Sequence, residues 1–268
     1  MPHFIHLTSP DDLRIDPYRV IKERDLVGRG GRFIVEGRTV LEVALSPRSR
    51  FPLESLLLSE SRVEALAPLL NQAPDDLPVY TASQAILDGI TGFHIHRGLL
   101  GIGLRGDEPD MASLVKSLPD HALVVVPLGI TNHDNVGGIM RNAAAFGADA
   151  ALFDFASCDP LYRKAIRVSV GGSLIVPFAR QGSADGVLDL LVAGGFELLA
   201  LSPAGETVLS RVPRAARTAL LLGAEGPGLA SSIMARTRTV SIPMKSGFDS
   251  LNVATTSGIA LHHLAAQG

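Results

Sequence analysis

Short apolar runs alternate along this chain with longer stretches whose apolar residues recur three and four apart. These are the respective patterns of strands and of half-buried helices. Residues 32–36, 55–59, 79–81 and 99–104 read as strands, and 39–45, 61–70 and 83–90 as helices. In the second of these helices Val63, Leu66, Leu69 and Leu70 share one face. The polar, proline-bearing stretch GDEPDM at 106–111 interrupts the pattern. After it, 122–128 is an unbroken apolar run, as expected of a strand covered on both faces in a parallel sheet. A helix over 136–146 follows directly. Further strands are predicted at 150–155, 196–201, 219–222 and 240–242, and further helices at 161–170, 186–192, 229–236 and from 250 to about 265. Such alternation argues an α/β protein with a parallel sheet covered by helices. The expected organisation is a small N-terminal α/β domain over 1–105, a linker over 106–117 and a parallel-sheet domain over 118–268.

Composition narrows the class. Of 268 residues, 46% are hydrophobic and 5% aromatic, with no Trp, which excludes wholesale disorder and provides for a sizeable core. The single cysteine, Cys158, cannot form an internal disulfide, in keeping with a reducing compartment. The first dozen residues lack the apolar core of a signal peptide. No apolar stretch approaches the roughly 20 residues of a spanning helix, so a cytoplasmic location is expected.

The net charge of −3 argues against coating nucleic acid through bulk electrostatics. Its distribution is uneven, at −4 over residues 1–115 and +1 over 116–268. Local basic knots occur at Arg19, Lys22, Arg24, Arg29, Arg32 and Arg38, at Arg163, Lys164 and Arg167, and at Arg211, Arg214 and Arg217. Each reads either as a solvated face or as a track for a phosphate backbone.

Three segments look chemical. NHDNVGGIMRNAAAFG at 132–147 lies where the 122–128 strand gives way to a helix, the edge at which open α/β sheets place ligands. Asn135 is expected to cap that helix, and Gly137 and Gly138 permit close backbone approach. Arg141 falls between the core-facing positions, either as a functional cation or as a surface one. LLLGAEGPGL at 220–229 runs from an apolar strand into a glycine-rich turn. Its spacing, Gly223, Gly226 and Gly228, is not G-x-G-x-x-G, and the next strand carries no acidic end, so a dinucleotide site is weakly supported. VSIPMKSGFDSLNVATTSGIALHH at 240–263 is a short strand, a loop and a helix capped by Asp249 or Ser250. The small polar residues Ser250, Asn252, Thr255 and Thr256 suit close packing or a ligand better than a plain core. His94 with His96, and His262 with His263, lack the partners of a metal site, and no P-loop, G-x-S-x-G or H-E-x-x-H occurs.

Taken in order, the three segments resemble the three motifs of the SpoU/TrmH family of RNA ribose 2′-O-methyltransferases in the SPOUT superfamily. Asn135 and Arg141 match the first motif. Gly223, Glu225, Gly226 and Gly228 match the second. Pro243, Met244, Ser250, Leu251 and Asn252 match the third. Residues 18–105, with His96-Arg97-Gly98 near their end, resemble more loosely the family's N-terminal substrate-binding domain. Two departures stand out: Asn132-His133 replaces the usual Asp-Pro, and Ala224 replaces the usual Asn.

The resemblance implies a deep trefoil knot, an exception to the un-knotted rule, and an obligate homodimer. It also implies S-adenosylmethionine held by Leu222, Gly223, Ala224, Glu225, Gly226, Ile242, Met244, Ser250, Leu251 and Asn252. It implies methyl transfer to a ribose 2′-hydroxyl without a metal, with Arg141, Asn135, Glu225, Ser250 and Asn252 as catalytic residues. RNA would meet the N-terminal domain and Arg19, Lys22, Arg24, Arg29, Arg32, Arg163, Lys164 and Arg167. Ribosomal RNA is expected before transfer RNA. The alternative is a catalytically silent RNA-binding or assembly protein.

Overall fold

In the computed structural model, which describes residues 2–19, 30–92, 98–107, 109–245 and 250–267, the chain divides into two units. One comprises Met1–Asp107 with Leu161–Ile175, the other Glu108–Pro160 with Val176–Gly268. In the first, strands β1 (His3–His6), β2 (Arg32–Glu36), β3 (Leu53–Ser59), β4 (Pro78–Ala82) and β5 (Leu99–Leu104) form one sheet ordered β1-β4-β3-β5-β2. β1, β4 and β3 run parallel, and β5 runs antiparallel to both β3 and β2. Phe33 pairs with Gly103 across β2 and β5, and a Cβ on Gly103 would lie 2.2 Å from the Phe33 ring. The glycine therefore provides the surface on which the aromatic ring lies. The Arg163–Val168 helix packs on this unit through Arg163 and Arg167, whose guanidinium nitrogens lie 2.9 and 3.5 Å from Glu36 Oε2.

The second unit is a seven-stranded sheet of β6 (Ala122–Pro127), β7 (Ala150–Phe153), β8 (Phe178–Arg180), β9 (Glu197–Leu201), β10 (Thr207–Val208), β11 (Arg217–Leu222) and β12 (Arg238–Ser241). Its order is β10-β12-β9-β11-β6-β7-β8, and every pairing is parallel. All six residues of β6 are buried, as the unbroken apolar run requires. Burying each Val or Leu of such a strand stabilises by about 1.5–3 kcal/mol. Because all strands point one way, their C-terminal ends form a single edge, and β6 gives way there to the His133–Ala145 helix.

Several local expectations change. Residues 106–117, read as a linker, contain the Met111–Ser117 helix, capped by Asp110 and burying Met111, Leu114 and Val115 in the second unit's core. The helix expected over 229–236 is only Ser231–Met234, because the backbone at Leu229 is held against Gly223, where a Cβ would lie 2.4 Å from Leu229 N. The short strands β1, β8 and β10 gave no signal, being two to four residues long. Among the described residues no helix is long and apolar enough to cross a membrane.

Candidate active site

Three loops at the C-terminal edge of the second unit's sheet enclose a cavity of about 460 Å3, a volume typical of small-molecule sites. The first loop leaves β11 as a tight turn, closed by the Gly228 N–H donating to the Ala224 carbonyl at 2.9 Å. Gly226 and Gly228 adopt φ of 86° and 68°, a region costly for residues with a side chain. The second leaves β9 and lies on β12. There the Ser202 N–H donates to Val240 O, and a Cβ on Gly205 would lie 2.4 Å from the Val240 carbonyl carbon. The third leaves β12 through Ile242 and Met244 and returns through Ser250, Leu251 and Asn252.

All ten residues expected to hold a cofactor line this cavity. Val240 and Thr256 of the third segment line it too, as do Leu201, Ser202 and Pro203, which no motif marked. Their signal would have been position alone, since Leu201 and Ser202 end a strand adjacent to β11. Leu201, Leu222, Val240, Ile242, Met244 and Leu251 make the lining chiefly apolar, with Ser202, Glu225, Ser250, Asn252 and Thr256 adding polar groups.

Asn252 ties the rim together. Its Oδ1 accepts from the N–H groups of Ala254 and Thr255 at 3.0 and 3.3 Å and so caps the Val253–Ala265 helix. Its Nδ2 donates to Asn135 Oδ1 at 2.9 Å and to Glu225 Oε1 at 2.7 Å. Both amide protons and both oxygen lone pairs are thereby engaged, which fixes the side chain's orientation. Helix capping falls to Asn252, not to Asp249 or Ser250; Asp249 lies outside the described residues. Likewise Asn132 caps the His133–Ala145 helix, its Oδ1 accepting from Asp134 N at 2.8 Å. Asn135 is instead buried within the first turn, and its Nδ2 has no hydrogen-bond partner among the described residues.

The two helices approach through small residues. A Cβ on Gly138 would lie 2.5 Å from Ala254 Cβ, and one on Gly258 would lie 3.1 Å from the Asn142 amide. Asn142, not singled out in the sequence, donates from Nδ2 to Ala254 O at 2.6 Å and to Ser257 Oγ at 2.9 Å. Thus Gly138 serves the close approach expected of it, while Asn142 orients one helix on the other. Arg141 is exposed on the same helix, outside the cavity lining, with no ion pair or hydrogen bond among the described residues. Glu225, Ser250 and Asn252 line the cavity and Asn135 is joined to them through Asn252, outside the lining itself; Arg141 is not bonded to any of them.

The loop entering the His133–Ala145 helix is held from below by the turn after β7. Asp154 Oδ1 accepts from the N–H groups of Gly129 and Ser157, each at 3.0 Å, and from Ser157 Oγ at 2.7 Å. Ser157 Oγ accepts in turn from Ile130 N at 3.0 Å, and the Cys158 N–H donates to Ile130 O at 2.8 Å. Burial raises the Cys158 thiol pKa, so this sulfur is a packing group more than a nucleophile.

Several of the basic residues expected to meet RNA are engaged within the first unit. Arg19 pairs with Asp16 at 2.8 Å, Arg32 forks onto Glu54 at 2.6 and 2.8 Å, and Arg163 and Arg167 share Glu36. Lys164 is exposed, and Lys22, Arg24 and Arg29 lie outside the described residues, as do His94, His96 and Arg97. Among the described residues no cluster of metal-ligating side chains forms.

Residues 122–262 match the model of the SpoU rRNA Methylase family. An uncharacterized tRNA/rRNA methyltransferase of Mycobacterium tuberculosis is 38% identical, with 97% of this chain and 91% of that protein covered. Among solved structures, one of an RNA 2′-O ribose methyltransferase is similar with a TM-score of 0.77 and 25% identity, covering 98% of this chain and 99% of that one. The SpoU methyltransferase AviRb from Streptomyces viridochromogenes, crystallised with AdoMet, has the same fold at a TM-score of 0.79. Its identity is 23%, with 96% of this chain and 98% of that one covered.

Proposed function

The chain belongs to the SpoU rRNA Methylase family, and on that premise we propose that it transfers a methyl group from S-adenosylmethionine to a ribose 2′-hydroxyl of RNA, ribosomal before transfer RNA. The observation that carries the reading is the Asn252 amide. It joins Asn135 and Glu225 at the rim of a cavity into which three loops of the sheet edge converge. The residues fit the cofactor. Leu222, Ile242, Met244 and Leu251 offer an apolar surface for the adenine ring, and Glu225, Ser250 and Asn252 offer polar groups for the ribose and methionine ends. When bound, the cofactor supplies an electrophilic methyl on a sulfonium.

A ribose hydroxyl is a weak nucleophile at neutral pH, so the protein must align it and stabilise its developing negative charge. Asn135 has an amide nitrogen without a partner among the described residues, held from behind by Asn252, and donates to the ribose. Arg141 supplies the fixed positive charge. A guanidinium keeps its proton and acts as a charge stabiliser, with phosphate or water as the proton acceptor. Glu225 holds Asn252 from the opposite side and keeps the amide from turning.

The homodimer belongs to the same reading. Leu251 and Ile259 are 38% and 40% exposed, large apolar side chains on or beside the helix that Asn252 caps. A groove of about 740 Å3 runs along that helix between Ile259, Pro243 and Val212. In the proposed dimer a second copy covers this groove, and Arg141 meets a site completed by that copy. The trefoil knot is part of the proposal as well, supported by Ile242, Met244, Ser250, Leu251 and Asn252 sharing one cavity with the loops after β9 and β11. Ribosomal RNA is favoured by the separate N-terminal α/β domain, more typical of the rRNA enzymes of this family.

Calorimetric titration with S-adenosylmethionine, followed by mapping of 2′-O-methyl marks in RNA from a strain lacking the gene, tests the reading. One saturable site per chain and one missing mark in ribosomal RNA are expected. A missing mark in transfer RNA would reassign the substrate, and absence of cofactor binding at millimolar concentration would leave only an RNA-binding protein.

A further inference from the structure

The turn after β7 presents an aromatic ring to solvent. Phe155 is 59% exposed although Phe153, two residues earlier, is fully buried. The chain has no Trp and only ten Phe, so a ring outside the core on a rigid turn requires an account. Rigidity comes from several sides. The Phe155 N–H donates to Gly182 O, and Asp154 and Ser157 hold the turn to Gly129 and Ile130. Arg180 donates from Nε to Ser157 O at 2.7 Å and from Nη2 to Phe155 O at 2.6 Å, with its guanidinium carbon 5.5 Å from the Phe155 ring centroid. Among the described residues no carboxylate pairs with Arg180, so its charge remains on the surface beside the ring.

The position matters as much as the exposure. β7 and β11 flank β6, so the turn after β7 lies on the same sheet edge as the cavity, two strand spacings or about 10 Å from the end of β11. We propose that Phe155, fixed by Arg180, is a stacking platform for a splayed-out base of the RNA substrate near the nucleotide being methylated. A flat apolar face accepts any base, and the adjacent cation suits the phosphate that accompanies it. This rests on the reading of the chain as an RNA methyltransferase and adds a positioning element to it.

The absence of Trp makes the test direct. Phe155→Trp places a single indole at the platform, and Val192→Trp places one at an exposed site on the Ala184–Ala193 helix, whose end faces the opposite edge of the sheet. Single-stranded oligoadenylate is expected to quench the first saturably and leave the second unchanged. Equal responses from both would overturn the proposal. With deproteinised ribosomal RNA from a strain lacking the gene as methyl acceptor, Phe155→Ala is expected to raise KM for RNA roughly five- to a hundredfold. The cofactor Kd and kcat should hold, and Phe155→Tyr should restore KM. Unchanged KM in Phe155→Ala, or a loss of dimer without loss of RNA affinity, would overturn the platform while wild-type turnover leaves the methyltransferase reading standing. Absence of methyl transfer by the wild-type protein to any RNA, with the quenching intact, would sink that reading and leave Phe155 as an RNA contact.

Discussion

Asn252 donates a 2.7 Å hydrogen bond to Glu225, and this one contact joins the glycine-rich turn after β11 to the start of the C-terminal helix. Its consequence is testable through an isosteric change. Asn252→Asp keeps the helix cap, since Asp is as good an N-cap as Asn. It removes the donors to Glu225 and Asn135 and sets a second carboxylate beside the first. Like charges so close raise the pKa of one of them. Cofactor affinity is therefore expected to fall at least tenfold at pH 8 and to recover in part towards pH 5, where a shared proton restores one donor. Calorimetry at the two pH values checks this; a loss independent of pH would mean the amide acts through shape alone. Asn252→Ala also removes the cap, lowering stability by about 1 kcal/mol.

Arg141 stands apart from the cavity lining and has no partner among the described residues. Its removal should leave the fold and the cofactor site as they are. Arg141→Ala is expected to lower the methyl-transfer rate by about 10²–10³, the usual effect of deleting a group that stabilises developing oxyanion charge. Cofactor affinity and thermal stability should stay within error of the wild type. A parallel loss of cofactor affinity would assign the cation to the cofactor.

What the sequence revealed and what it hid divide along contact distance. The loops after β11 and β12 were legible because glycine-rich turns and small polar residues at strand ends are local signals, whereas Leu201 to Pro203 after β9 carried no such signal. Asn135 and Asn132 were confused for the same reason: both sit before an apolar helical pattern, and only the bond from Asp134 N to Asn132 Oδ1 tells the cap from the buried amide. Asn142 and the Asp154–Ser157 turn were invisible. Their partners lie 112 residues away at Ala254 and 25 and 27 residues away at Gly129 and Ile130, and no periodicity encodes such pairings. The basic knots were legible as charge, but the partners of Arg32 and Arg163 come from other elements, Glu54 on β3 and Glu36 on β2, which composition does not place.

Gly138 faces Ala254 so closely that size, not conformation, decides the residue. Gly138→Ala would gain about 1 kcal/mol of helix propensity, yet its Cβ would sit 2.5 Å from Ala254 Cβ. Overpacking costs about 1–3 kcal/mol, so net destabilisation is expected in urea unfolding. Exchanging the sizes in Gly138→Ala with Ala254→Gly should recover most of the clash term. Failure of that pair to recover stability would mean the helices are held apart by other contacts.

Ser157 supports the active helix from outside the cavity. Its hydroxyl accepts from Ile130 N at 3.0 Å and donates within the pair it forms with Asp154 at 2.7 Å, so Ser157→Ala strands a buried N–H. Stranding such a donor costs about 1–3 kcal/mol. The loss falls on the loop that enters the His133–Ala145 helix and so on the placement of Asn135, while the loops after β9, β11 and β12 are untouched. The expected pattern is a fall in kcat larger than any change in cofactor Kd. A second readout follows from the half-buried thiol next door. Burial raises the Cys158 pKa, so the intact turn should react slowly with iodoacetamide at pH 8. Loosening the turn should bring the thiol pKa down and speed alkylation. Asp154→Asn, which keeps an oxygen for Gly129 N and Ser157 N, should retain more turnover than Asp154→Ala. Equal losses in the two Asp154 variants would mean that its charge, and not its three hydrogen bonds, holds the turn.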